Sequence, residues 1–336
     1  MKKIINQPQD FVDETLQGIV LAHPDKLVLS EKNPRAIVKK HLTEGKVAIV
    51  TGGGSGHLPL FLGYVGDGLA DACAVGNVFA SPSATAMREA ALAAETGAGV
   101  LYLFGNYGGD KMNFEMASED LEDLGIAVER VLGNDDVASA DKEHAAKRRG
   151  VAGILFVYKI AGAAAARMLP LQEVARLARK ANENTRSMGV ALSACTIPDV
   201  GTPSFTIADD EMELGMGIHG EPGIHRGKMQ TADEIAQTMC DAILADIEIP
   251  AGSRVGVLVN LLGATPKEEG YILFRKVHEI LSAKNIEIVQ TYVGEYSTSM
   301  EMAGASLSLI RLDDELESLL KDYASSPFFV LQEAKA

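Results

Sequence analysis

Along the first half of the chain, short apolar runs that end in glycine alternate with longer segments whose apolar residues recur at helical spacing. Lys46-Val47-Ala48-Ile49-Val50 and Gly99-Val100-Leu101-Tyr102-Leu103-Phe104 show no polar alternation, so each reads as a strand buried on both faces, as in parallel sheet. Residues 83–95 between them are alanine-rich and predict a helix. A second helix is predicted over 114–124, leading into a strand at 126–131. This is the alternation of βαβ units.

Two further helices are predicted, from about 150 to 168 and over 171–184, followed by the apolar run Val190-Ala191-Leu192-Ser193-Ala194. In the second half Thr231-Ala232-Asp233-Glu234 and Thr265-Pro266-Lys267-Glu268 both fit the capping box that opens a helix. Ile235, Met239, Ala242 and Ile243 share one face of the first of these helices; Leu273, Val277, Ile280 and Leu281 share one face of the second. Strands are predicted at 254–259, 286–289 and 307–310. The segments 199–203 and 215–227 read as irregular. The pattern therefore predicts an α/β protein of two lobes, each a mostly parallel or mixed sheet covered by helices, with domains over 1–188 and 189–336.

Composition fits that picture. The 336 residues are 47% apolar but only 5% aromatic, with no Trp, so the cores must be built from aliphatic side chains. A formal charge of −15 repels phosphate backbones and anionic lipid, so neither nucleic acid nor membrane is an expected partner. The start turns polar by Asn6, and no apolar stretch nears the ~18 residues of a membrane helix, which leads to the expectation of a soluble, cytoplasmic protein. Cys73, Cys195 and Cys240 are far apart and read as buried small hydrophobes. The seven histidines have no metal-ligand spacing, and no metal is expected on this chain.

Three glycine-framed loops could carry chemistry. Thr51-Gly52-Gly53-Gly54-Ser55-Gly56-His57 follows a buried strand, at the carboxyl edge where open α/β sheets bind ligands. Both the dinucleotide fingerprint and the nucleophile elbow fail at His57, and the chain has no Gly-Lys-Ser/Thr. What remains is main chain able to approach a small polar ligand beside one imidazole; the same residues also read as a tight turn with a surface histidine. Gly105-Asn106-Tyr107-Gly108-Gly109-Asp110 again follows a strand, and Asp110 reads either as a proton acceptor or as a helix cap. In Gly215-Met216-Gly217-Ile218-His219-Gly220-Glu221-Pro222-Gly223, His219 is a candidate for chemistry or a solvated loop histidine. Together, two histidines and an aspartate on such loops can bind a hydroxylated carbonyl compound and move its proton.

These loops resemble those of the dihydroxyacetone kinase family, in particular the substrate-binding K subunit of the bacterial, phosphotransferase-dependent enzymes. The resemblance runs from Met1-Lys2-Lys3-Ile4-Ile5-Asn6 through 52–57, 106–115, Arg148-Arg149-Gly150-Val151-Ala152, Ala194-Cys195-Thr196, Glu211-Met212-Glu213 and 217–223 to Asn260-Leu261-Leu262-Gly263-Ala264-Thr265-Pro266. It implies that His219 attacks a ketone through a ring nitrogen and holds the substrate as a hemiaminal. Only a carbonyl compound can form that adduct, so glycerol is rejected by bond formation. It further implies that Asp110 accepts the proton of the terminal hydroxyl, that His57 hydrogen-bonds or activates that hydroxyl, and that Gly54, Ser55 and Gly56 line the substrate.

By the same resemblance no cofactor is bound by this chain. ADP or ATP with magnesium is expected on a separate L-type partner subunit, since the chain ends at Ala336 without a helical nucleotide domain. A homodimer is implied. Where the resembling kinases carry Gly-His-Glu-Pro this chain has Gly56-His57-Leu58-Pro59, where many carry Lys-Asn-Tyr it has Gly105-Asn106-Tyr107, and Asn77 replaces a glutamate. Loss of the lysine opens space, so a four-carbon ketose such as erythrulose is a possible substrate beside dihydroxyacetone. The alternative is a ligand-sensing paralogue that activates a transcription regulator; it would need His219 but not the base.

Overall fold

The computed structural model describes residues 2–331. Met1, with which the first stretch of resemblance opens, and residues 332–336 of the second expected domain lie outside them. The chain runs α1 (Phe11–Ala22), β1 (Leu27–Leu29), β2 (Ala36–Lys39), β3 (Ala48–Ser55), β4 (Ala72–Val78), α2 (Ala84–Ala94), β5 (Val100–Gly105), α3 (Gly108–Asp123) and β6 (Val128–Gly133). It continues with α4 (Ile154–Ala166), α5 (Leu171–Glu183), β7 (Thr185–Ala191), β8 (Glu211–Leu214), β9 (His225–Lys228), α6 (Ala232–Asp246), β10 (Arg254–Leu261) and α7 (Lys267–Ala283). Last come β11 (Glu287–Gly294), β12 (Gly304–Leu312), α8 (Asp314–Leu320), β13 (Ala324–Ser325) and β14 (Val330–Leu331).

Two compact units result. One comprises Met1–Leu132, Val157–Lys180 and Ser318–Ala336, the other Gly133–Phe156 and Ala181–Glu317. A single boundary at residue 188 does not describe them, because contacts distant in sequence decide membership. In the first unit Asp67 bridges to Ser325, Lys159 Nζ donates to the Leu319 carbonyl at 3.0 Å, and Arg167 pairs with Asp322. In the second, buried Asp135 accepts from the N–H groups of Val151 and Gly153 and from the Ser187 hydroxyl, which fastens 133–156 to β7.

The first unit's sheet has the order β1-β2-β4-β3-β5-β6. β3 lies parallel to both β4 and β5, so the loops after these three strands gather at one carboxyl edge. Its core is aliphatic and aromatic: Val50, Tyr102, Phe104 and Phe114 pack with the alanine face of α2. Ser83 caps α2, its hydroxyl accepting from the Ala86 N–H at 3.2 Å.

The second unit's sheet, β11-β10-β12-β7-β8-β9, is mixed: β10 and β11 are parallel and every other neighbouring pair is antiparallel. The expected apolar faces of α6 and α7 fill its core. The capping box at Thr231 and Glu234 forms. The one expected at Thr265 does not, because Pro266 is the N-cap of α7 and the Thr265 hydroxyl bridges both the N–H and the carbonyl of Gly304 at 2.8 Å. Part of the stretch expected to be irregular, 215–227, enters strand β9. All three cysteines are buried.

Candidate active site

In the first unit Gly54, Ser55 and His57 lie against residues 76–80, with Gly56 at φ +98° between them, and Asp110 follows Gly109, which abuts Ser81. A side chain at Gly54 would place its first carbon 2.7 Å from the Ala80 nitrogen, so only glycine lets β3 run this close. The Ser55 hydroxyl donates to the Gly76 carbonyl at 2.8 Å and fastens the ends of β3 and β4 together. His57 is not a surface histidine. It is 1% exposed, stacked on Phe79 with ring centroids 4.8 Å apart at 15°, and edge-on to Phe61 at 6.2 Å. Two aromatic rings thus fix the plane of the imidazole.

Asp110 does not cap its helix. Tyr107 is the N-cap of α3, which begins at Gly108, so Asp110 lies inside the first turn, where backbone N–H groups and the helix dipole favour a carboxylate. Asp110 is buried. Gly109 gives it access: a side-chain carbon there would come within 2.7 Å of the Ser81 hydroxyl. Nearby, Thr51 and Tyr158 share a hydrogen bond of 2.7 Å. Burial pushes the Tyr158 phenol well above its ordinary range against that hydrogen bond, and Cys73 and the Asp110 charge add to the rise. The carboxylate therefore belongs to a buried polar neighbourhood at the strand edge. Asn77, the departure on this side, accepts from Arg35 Nη1 at 3.0 Å.

His219 stands in the second unit, on the loop between β8 and β9. Its Nδ1 lies 2.9 Å from Glu221 Oε1, and its backbone N–H donates to Oε2 of the same carboxylate at 2.9 Å. An ionised carboxylate only accepts, so Nδ1 carries a proton, and in the neutral form of the ring the lone pair is on Nε2. Burial works to raise the Glu221 pKa, but the His219 hydrogen bond and charge, with Arg149 beyond, outweigh it and hold the group down at about 2.

The loop's glycines are required by packing. Side-chain carbons would fall 2.2 Å from Glu221 Oε2 at Gly217 and 2.1 Å from the Leu214 carbonyl oxygen at Gly223, while Gly220 has φ +83°. The Ser299 hydroxyl, on a buried loop, donates to the carbonyl of Ile218, the residue before the histidine.

Sequence reading singled out His57, Asp110 and His219 but not Phe79, Glu221 or Arg149, which the structure places against His57 (Phe79), His219 (Glu221) and Glu221 (Arg149). Glu221 was within reach of it: a carboxylate two residues after a histidine on a glycine-framed turn can fold back onto Nδ1. Phe79 and Arg149 carried no local signal. No group of three or more His, Cys, Asp or Glu able to hold a metal ion occurs among the described residues, and no helix among them is long and apolar enough to cross a membrane.

Comparison with known proteins places these observations. The Dak1 domain family matches residues 17–328. The dihydroxyacetone-binding subunit DhaK of PTS-dependent dihydroxyacetone kinase 2 from Listeria innocua is 47% identical over 98% of this chain and 99% of its own length. The L-erythrulose kinase of Pectobacterium atrosepticum is 44% identical over 98% of this chain, which spans 56% of that protein. Among solved structures, the dihydroxyacetone kinase operon co-activator Dha-DhaQ superposes with a TM-score of 0.89 at 31% identity, covering 96% of this chain and 99% of its own.

Proposed function

The chain belongs to the Dak1 family, and from that premise we propose that it is the substrate-holding subunit of a dihydroxyacetone-type kinase. The observation that carries the reading is the Glu221–His219 pair, which selects one tautomer for the neutral form of an imidazole on a glycine loop. Nε2 attacks the ketone carbon and the carbonyl electron pair moves to oxygen. Positive charge builds on the ring against the Glu221 carboxylate, the oxygen takes a proton from water, and the ring releases its Nδ1 proton to water, leaving a neutral hemiaminal. Asp110, buried in the first turn of its helix, accepts the proton of the terminal hydroxyl, and His57 orients that hydroxyl.

The phosphoryl group comes from a nucleotide with magnesium on a partner subunit; the subunit naming of the Listeria relative supports the existence of a partner. The proposed assembly is a cytoplasmic homodimer that meets an L-type subunit, and light scattering on the purified chain tests the dimer.

A second reading has its own support, since the co-activator shares the fold over nearly its whole length. Retention of a buried Asp110 favours the catalyst, because a sensor needs only capture. Reconstitution with an L-type subunit and either ATP or a phosphotransferase donor separates the two. Turnover of dihydroxyacetone or erythrulose supports the kinase; adduct without turnover supports the sensor and overturns the proposal.

A further inference from the structure

His219 owes its tautomer to Glu221, but nothing in the Glu221 side chain alone fixes where its carboxylate points. The structure supplies an anchor 4.0 Å away, the Arg149 guanidinium, whose Nη1 faces Glu221 Oε2. Arg149 is itself held on two sides. Nε and Nη2 lie 2.9 and 2.8 Å from Asp136 Oδ2, and Nη2 also donates to the Gly215 carbonyl at 3.0 Å. Asp136 is buried, accepts from the Ala138 N–H, and is pushed up by burial to about 6 in spite of Arg149. Backbone contacts lock the two residues together: the Asp136 N–H donates to the Arg149 carbonyl at 3.1 Å, and the Arg149 N–H to the Ser139 hydroxyl at 3.0 Å.

A planar fork that occupies Asp136 and Gly215 with two of its nitrogens has its third nitrogen fixed in direction. That nitrogen points at the Glu221 carboxylate, and Gly217 is bare because a side-chain carbon there would come within 2.5 Å of Nη1. Arg149 also holds the β8 end of the histidine loop through Gly215, while Glu221 holds the imidazole at its middle. A lysine could reach one of these partners but not all three.

We propose that Arg149 is a positioning residue for the capturing histidine, acting through Glu221: pinned by Asp136 and the Gly215 carbonyl, it aims the Glu221 carboxylate at His219 Nδ1. This rests on the reading of His219 as the nucleophile. The chemistry is an orientation effect, in which a loosely held carboxylate lets the ring rotate and exchange tautomers. Misplacement of a reacting group by about 1 Å is enough to cost on the order of a hundredfold in rate.

The test is a double-substitution cycle on the full chain with two readouts. The first is the rate of adduct formation with dihydroxyacetone and erythrulose, followed by intact-protein mass spectrometry. The second is the ring ¹⁵N spectrum at pH 8, with His219 assigned by its loss in His219→Ala. Arg149→Gln is expected to slow capture roughly tenfold to a hundredfold and to turn a pure Nδ1–H tautomer into a mixture, with Arg149→Lys in between.

In the double variant Arg149→Gln with Glu221→Gln, capture is expected to be no slower than in Glu221→Gln alone. Effects that multiply, or an unchanged rate and tautomer in Arg149→Gln, overturn the proposal. If that variant does not fold, Asp136→Asn with Arg149→Gln removes the buried charge together with its partner and is judged by the same outcomes. If the wild type captures neither ketose, the reading of His219 fails, and the tautomer alone decides for or against Arg149.

Discussion

Asp110 and Glu221 are both acidic residues on glycine loops, yet their surroundings give them different work. In the proposed chemistry Asp110, buried in the first turn of its helix, takes the hydroxyl proton and does not touch the carbonyl, so its substitution should separate chemistry from capture. Asp110→Asn is expected to leave the ketose adduct intact while lowering turnover by about 10² to 10⁴, the range of a positioned base, as steady-state rates alongside intact mass would show. Glu221 is held at about 2 against an ordinary 4.5. A depressed carboxylate stabilises the fold fully above its unfolded value and loses that contribution as pH falls through the folded one. Glu221→Gln should therefore melt below wild type at pH 7, with the gap narrowing between pH 4.5 and 2; a gap that is the same at pH 7 and pH 3 would count against the ion pair. His57, Asp110 and His219 were legible because each sits among glycines after a strand or within a turn. The burial of His57 was not, since the ring that covers it, Phe79, belongs to another loop. Arg149 was legible only as part of a resembling stretch, because its partners Asp136, Gly215 and Glu221 are brought to it by the fold.

Among the elements, β5 falls where its unbroken apolar run placed it, whereas β3 begins within its run but continues to Ser55, through glycines read as a loop, because pairing with β4 holds them extended. Helix α3 begins at Gly108, six residues before the predicted start at 114, because Gly108 to Asn113 offer glycines and polar residues instead of an apolar period. β8 and β9 were missed for a similar reason: Glu211-Met212-Glu213-Leu214 and His225-Arg226-Gly227-Lys228 are short and rich in polar residues, and antiparallel pairing of β8 on β7 and of β9 on β8 makes them strands. The β5 edge carries the size prediction. Gly105 is buried at the end of the strand whose loop presents Asp110, so the space next to it is set by the absence of a side chain. One enantiomer of erythrulose should be preferred to dihydroxyacetone, and Gly105→Lys should shift kcat/KM back toward the three-carbon substrate, a polar contact being worth roughly 0.5–1.5 kcal/mol. A wild type that favours dihydroxyacetone over both enantiomers, unaltered by the lysine, would remove this account of the departure.

For the whole molecule, two α/β lobes with mixed sheets were legible in the alternation of runs and helices, whereas the membership of the segments was not. Residues 133–156 and 157–180 are neighbours in sequence but belong to different units, a division set by Asp135 on one side and by the pairs of Lys159 and Arg167 on the other. Periodicity reports which face of a segment is buried but not which sheet buries it. In the proposed chemistry capture by His219 comes first, because the base acts on a substrate already held. The most direct test is therefore intact-protein mass spectrometry of the wild type and of His219→Ala after incubation with dihydroxyacetone or erythrulose. The account predicts a ligand-sized increment in wild type and none in the variant. An undiminished increment in His219→Ala, or none in wild type with either ketose, would contradict it.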